Sequence, residues 1–151
     1  MQIAAAGDRA LLVTLPGVSS VQLRAAADAL RNVTGVVTAI IGHQSVYVIG
    51  TTDRGAITQA IDTAGPTSAA VPKQHRIEVS FSDADALDMA EFLATIRTSR
   101  DDFLRRLADV RLSVRYLGFR AGFAYLEGWP EGWRMPRRPT SHNLVPRGSF
   151  G

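Results

Sequence analysis

Short apolar runs separated by turn residues open the chain. Gln2 to Ala6 and Ala10 to Leu15 flank Gly7-Asp8, a turn dipeptide, and both read as strands; Pro16-Gly17 ends the second. The period then lengthens. Leu23, Ala27 and Leu30 fall at i, i+4 and i+7, one face of a helix that begins at Ser19, with Gln22 placed as a capping-box partner and Gly35 as the stop. Val36 to Ile41 and Val46 to Ile49 are β-branched runs joined by Gly42-His43-Gln44-Ser45, the pattern of a hairpin. Asp53 caps a second helix with Ile57, Ile61 and Ala64 on one face, and Gly65-Pro66 ends it. The order ββαββα predicts a small sheet with helices packed on one face.

Residues 67–74 are small or turn-forming and read as a linker, so a first domain is expected over 1–66 and a second over 75–151. Arg76-Ile77-Glu78-Val79-Ser80-Phe81 alternates in polarity and predicts a strand. A helix is expected from Ser82 or Asp83 to about Ala94, with Asp83, Asp85 and Asp88 near its positive end. Ser99-x-x-Asp102 opens another, carrying Phe103, Leu104 and Leu107, and Leu112 to Leu117 returns to strand. The fold class is α+β.

Composition narrows the function classes. The chain has 151 residues, no cysteine and a formal net charge of +3, with Lys73 the single lysine among 17 basic residues. Disulfides and thiolate chemistry are excluded. So small a net charge, with acids interspersed, argues against nucleic acid as the partner. The first residues lack a basic n-region, and no apolar run approaches the ~20 residues that span a bilayer. A cytoplasmic protein is expected. His43, His75 and His142 lack metal-ligand spacing, so no metal site is expected. There is neither a P-loop nor a GxSxG elbow, and the catalytic residues stay open.

The candidate chemistry gathers in Tyr116 to Gly151. This stretch holds both tryptophans and, at positions 130, 136, 139 and 146, four of the seven prolines. Aromatic residues between turn formers predict short strands and ordered loops. Phe119, Phe123 and Tyr125 fit pocket walls, with barrel core as the other reading for the two phenylalanines. Arg120 stands among them. Arg137 and Arg138, between Pro136 and Pro139, lie on a stiffened loop and fit an anion clamp, since guanidinium reads carboxylate and phosphate bidentately. The segment Leu144 to Ser149 also spells a thrombin recognition sequence.

Gly118-Phe119-Arg120-Ala121-Gly122-Phe123-Ala124-Tyr125-Leu126 resembles the GF-x-PGF-x-YL signature of the KipI/PxpB family, also called allophanate hydrolase subunit 1. Pro136-Arg137-Arg138-Pro139 and Val145-Pro146-Arg147-Gly148-Ser149 resemble its second signature, and Gly7-Asp8-Arg9-Ala10-Leu11-Leu12-Val13 its start. Ala121 stands where the motif has proline, Ser141-His142 where it has Pro-Arg, and Arg147 where it has a small residue. The family pattern continues past Gly151, so a C-terminally truncated member is expected.

The resemblance implies a small N-terminal α/β domain followed by the start of a cyclophilin-like β-barrel domain. It implies a B-type subunit of an ATP-dependent 5-oxoprolinase that opens 5-oxoproline to glutamate with A-type and C-type subunits (the latter like allophanate hydrolase subunit 2), and is inactive alone. ATP is then the complex's cofactor. The ligand or partner residues are expected among Phe119, Arg120, Phe123, Tyr125, Arg137 and Arg138. The resemblance equally admits a KipI-like inhibitor of a sensor histidine kinase, or an allophanate hydrolase or urea carboxylase-type subunit.

Overall fold

The computed structural model describes residues 1–65, 73–137, 145–146 and 148–149. The chain divides into two compact units, Met1–Pro72 with Ser113–Glu127, and Lys73–Leu112 with Gly128–Gly151. Most of the linker expected at 67–74 lies outside the described residues.

The first unit is built on β1 (Gln2–Ala5), β2 (Ala10–Thr14), α1 (Ser20–Arg31), β3 (Thr38–Ile41), β4 (Ser45–Ile49) and α2 (Arg54–Asp62). This is the expected ββαββα order. The strands form one antiparallel sheet in the order β1-β2-β4-β3. Alternation decides which side chains turn inward. Leu11 and Val13 of β2 register with Val48 and Val46 of β4, and Ala39 of β3 also faces Val48. These residues are buried in one cluster with Leu23, Ala26, Ala27 and Leu30 of α1 and Ile57 of α2. Leu12, Tyr47 and Ile40 register across the opposite face of the sheet.

The caps form as their residue types require. Ser19 Oγ accepts from Gln22 N at 3.2 Å while Gln22 Oε1 accepts from Ser19 N at 2.9 Å, a closed capping box. Asp53 Oδ1 accepts from Ala56 N at 3.0 Å. At Gly50, φ is +112°, and a Cβ there would lie 2.3 Å from the Gly35 carbonyl oxygen. Only glycine fits that position.

The second unit contains α3 (Met89–Thr95), α4 (Arg100–Asp109) and a 3-10 turn at Glu131–Trp133. Phe103 and Trp133 are its buried side chains among the described residues. Phe103 contacts Phe92 at a ring separation of 5.2 Å, Phe81 at 5.7 Å and Trp133 at 5.0 Å. The Arg106 guanidinium lies 4.9 Å above the Trp133 ring, a cation–π contact. Ser99 caps α4 by accepting from Asp102 N at 3.2 Å, as its sequence predicts.

Three expectations are corrected here. Residues 76–81 form no strand: Ile77 is 80% exposed, and no described strand pairs with the segment. Alternation supplies a pattern, but a strand exists only on a partner's ladder. The helix expected from Ser82 or Asp83 begins at Met89. Ser80 and Ser82 hydroxyls donate to the Asp85 carboxylate at 2.5 and 2.8 Å, and Asp85 N donates to the Ser82 carbonyl at 3.1 Å. Ala86 N also donates to the Ser82 carbonyl at 2.8 Å, so residues 82–86 make one turn that is not continued into the helix at Met89. Finally, no barrel forms among the described residues. The remaining strands, β5 (Ser113–Leu117) and β6 (Ala124–Glu127), pair only with each other.

Candidate functional site

Four of the expected site residues lie on or beside the β5–β6 ribbon. Its register pairs Ser113 with Glu127, Val114 with Leu126, Tyr116 with Tyr125 and Leu117 with Ala124. One residue is left over on β5: Arg115 occupies the bulge. A bulge re-aims a side chain out of the strict alternation. Here the guanidinium donates to Glu127 Oε2 at 2.8 Å, to the His43 carbonyl at 3.0 Å and to the Val18 carbonyl at 3.4 Å. Glu127 Oε1 accepts from the Ser20 hydroxyl at 2.5 Å and from the Ser113 hydroxyl at 3.3 Å. The ribbon is thereby bolted to the β2–α1 connection and to the β3–β4 turn. The Ser20 hydroxyl, with help from Arg115 and Ser113, holds the Glu127 carboxyl below the usual carboxylate range against the opposing effect of burial.

Beyond the bolt runs a series of rings. Tyr116 and Tyr125 stack at 4.5 Å and 19° between planes, Tyr125 meets Phe123 edge-on at 5.1 Å, and Phe123 meets Phe119 at 5.5 Å. His43 approaches Tyr116 at 6.4 Å. Partial burial pushes the Tyr116 phenol up. A Cβ at Gly118 would stand 3.3 Å from the Tyr125 ring, so glycine lets the stack sit close to the turn.

The loop from Gly118 to Phe123 closes on itself. Gly118 N donates to Phe123 O at 3.1 Å, Arg120 N to Gly118 O at 2.7 Å, and Phe123 N to Arg120 O at 3.1 Å. The last bond defines a turn over Arg120–Phe123 with Gly122 in third place at φ +78°. That place takes glycine in a type II turn, and proline is favoured one position earlier, where Ala121 stands. Phe119 holds φ +63° although it carries a large side chain, and it is 84% exposed. Phe123 and Tyr125 are exposed as well among the described residues. Residues 117–122 line an open depression of about 380 Å³.

The arginine pair is placed differently. Arg137 is exposed and belongs to the second unit. Arg138 and His142 lie outside the described residues. His43 and His75 are exposed. Among the described residues no three His, Asp or Glu side chains converge to hold a metal, and no helix is long and apolar enough to cross a membrane.

Arg115, Glu127 and Ser20 are the functional neighbours that sequence reasoning misses. Their only trace is a charged residue inside an otherwise β-favouring run and an acid at the end of the next.

The comparisons with known proteins agree with the motifs. The profile of the carboxyltransferase domain, subdomain C and D, matches residues 1–151. The chain is 26% identical over 160 aligned positions to the B-type subunit of 5-oxoprolinase from Haemophilus influenzae, covering 100% of this chain and 75% of that protein. It is 30% identical over 131 positions to the B-type subunit of 5-oxoprolinase from Escherichia coli O157:H7, covering 83% of this chain and 60% of that protein. The chain therefore belongs to the family of carboxyltransferase domains, subdomain C and D, and is a distant homologue of the 5-oxoprolinase B-type subunits.

Proposed function

We propose that this chain is the B-type subunit of an ATP-dependent 5-oxoprolinase complex that opens 5-oxoproline to glutamate in the cytoplasm. In this reading it works with A-type and C-type subunits and has no activity alone. The observation that carries the reading is the likeness to two proteins named as B-type subunits of 5-oxoprolinase, along 100% of this chain for one and 83% for the other. On the ribbon the described residues present an exposed aromatic surface that carries Arg120. Phe119, Arg120, Phe123 and Tyr125 supply partner or ligand contacts on the ribbon. Arg137 and Arg138 supply charge for an anionic ligand or an acidic partner. The later strands of a cyclophilin-like domain belong to the same reading.

The test is reconstitution. The full-length protein is co-expressed with the A-type and C-type subunits of its own organism, and ATP-dependent glutamate release from 5-oxoproline is measured. Activity that requires all three chains, and that falls at least tenfold in Arg137→Ala or Arg138→Ala with the complex intact, supports the reading and its arginines. Full activity in both variants removes these arginines from the site. An assembled complex that leaves 5-oxoproline unchanged overturns the reaction. Absence of any association moves the weight to a kinase inhibitor.

A further inference from the structure

We infer that Arg31 and Arg54 guard the two edges of the four-stranded sheet, and that what each keeps out is the same edge strand of a second copy of this chain. The inference concerns the first unit alone and does not depend on the reaction proposed above.

Register shows where the unused backbone groups point. Among the described residues β1 and β3 are the outer strands of the sheet. Ala6 N donates to the Ala10 carbonyl at 3.0 Å, and Gly42 N to the Ser45 carbonyl at 2.8 Å. Bonded and non-bonded pairs alternate along an antiparallel ladder. Counted from these two bonds, Ile3–Val13, Ala5–Leu11 and Ala39–Val48 are non-bonded pairs. The N–H and C=O groups of Ile3, Ala5 and Ala39 therefore face outward, where a further strand would pair.

Arginine takes the carbonyl of Ile3 on one edge and of Ala39 on the other. Arg54 Nη1 donates to Ile3 O at 2.6 Å, and Arg31 Nη2 donates to Ala39 O at 2.8 Å. Arg31 is the last residue of α1 and is ion-paired with Asp28. Arg54 is the first residue of α2. A cation is favoured at the end of a helix and disfavoured at its start. The dipole thus accounts for the place of Arg31 and opposes that of Arg54, whose bond reaches back 51 residues to β1.

The strands carry no protection of their own. Gln2–Ala5 and Thr38–Ile41 contain neither a charged residue nor a proline. Such an edge is a template for pairing unless something else blocks it. Its simplest complement is itself, laid antiparallel about a two-fold axis, because uncharged identical strands meet no repulsion. With the arginine in place, the incoming strand loses the central carbonyl and brings a second guanidinium against the first.

The experiment measures the particle mass of the full-length protein, by itself, by sedimentation velocity. Arg31→Ala and Arg54→Ala each open one edge, so each is expected to double the wild-type mass. The variant carrying both substitutions opens two edges and is expected to form longer assemblies. Two further substitutions separate edge pairing from loss of the fold. Ala5→Pro removes an outward N–H that the ladder does not use and is expected to return Arg54→Ala to wild-type mass. Ile40→Lys sets a charge on the exposed face of β3 and is expected to do the same for Arg31→Ala. Wild-type mass in the doubly substituted variant overturns the inference. So does added mass that Ala5→Pro and Ile40→Lys leave in place, which marks aggregation of unfolded chain. A wild type whose own mass halves with Ala5→Pro or Ile40→Lys overturns it as well, since its edges would then already be paired.

Discussion

The Arg115 guanidinium and the Glu127 carboxylate meet at 2.8 Å within one ribbon, and the same carboxylate takes the Ser20 hydroxyl from the start of α1. With side chains 16% and 29% exposed, the pair is shielded enough for its hydrogen bonds to count. Glu127→Gln is expected to cost about 2 kcal/mol at neutral pH. The sign of the pH dependence follows from the depressed carboxyl. Its contribution is present above the unfolded-state value and is lost as pH falls through the folded one. Wild-type Tm should therefore decline as pH drops below about 4.3, and Glu127→Gln should flatten part of that decline. An unchanged acid slope in the variant would assign the effect to other carboxylates.

Ala121 occupies the second place of a hydrogen-bonded turn whose third place is Gly122 at φ +78°. Proline in that second place sets φ in advance and narrows the unfolded ensemble. Ala121→Pro should raise stability by about 0.4–1 kcal/mol, read by urea denaturation. Destabilisation would mean that the backbone at Ala121 does not hold the proline angle.

Trp133 is 2% exposed, and its indole nitrogen has no acceptor among the described residues. Truncation to alanine opens the contacts with Phe103 and Arg106 and should cost about 3–5 kcal/mol. Trp133→Phe keeps most of the apolar body and removes a buried donor, so it should cost less than half as much. Equal losses in the two variants would show that the N–H has a bonding partner after all.

The composition after Gly65 predicts a boundary near 67–74. Limited proteolysis of the native protein should cut there before it cuts the sheet. Early cleavage within 36–49, where β3 pairs with β4, would remove that boundary.

The sheet and its two helices are legible in the sequence because three independent signals coincide there. Ala10 to Leu15 is an apolar run bounded by turn residues, Leu23, Ala27 and Leu30 share a helical face, and Ser19 and Asp53 sit where caps belong. Residues 76–81 carry the strand pattern with equal clarity, yet alternation says nothing about whether a ladder partner exists. The turn at Ser82 to Ala86 stops short of α3, and periodicity alone does not show such a break between a first turn and the helix that follows it. The candidate site is half legible. Its aromatic residues stand out by type, and the family signature groups them. The bulge that turns Arg115 towards Val18 and His43 is a matter of register, which no single strand encodes.

The first unit is not continuous in sequence: the ribbon that completes it follows residues 73–112, which belong to the other unit. During synthesis the sheet and α1 emerge early and bury their shared apolar cluster at once. The His43 and Val18 carbonyls must then wait for Arg115, 72 and 97 residues downstream, and Ser20 must wait 107 residues for Glu127. Contacts of such separation form late, because loop closure must be met before they contribute. The ribbon is thus expected to be the last part to settle on the ribosome and the first to come away when the protein is stressed, taking the exposed ring of Phe119 with it.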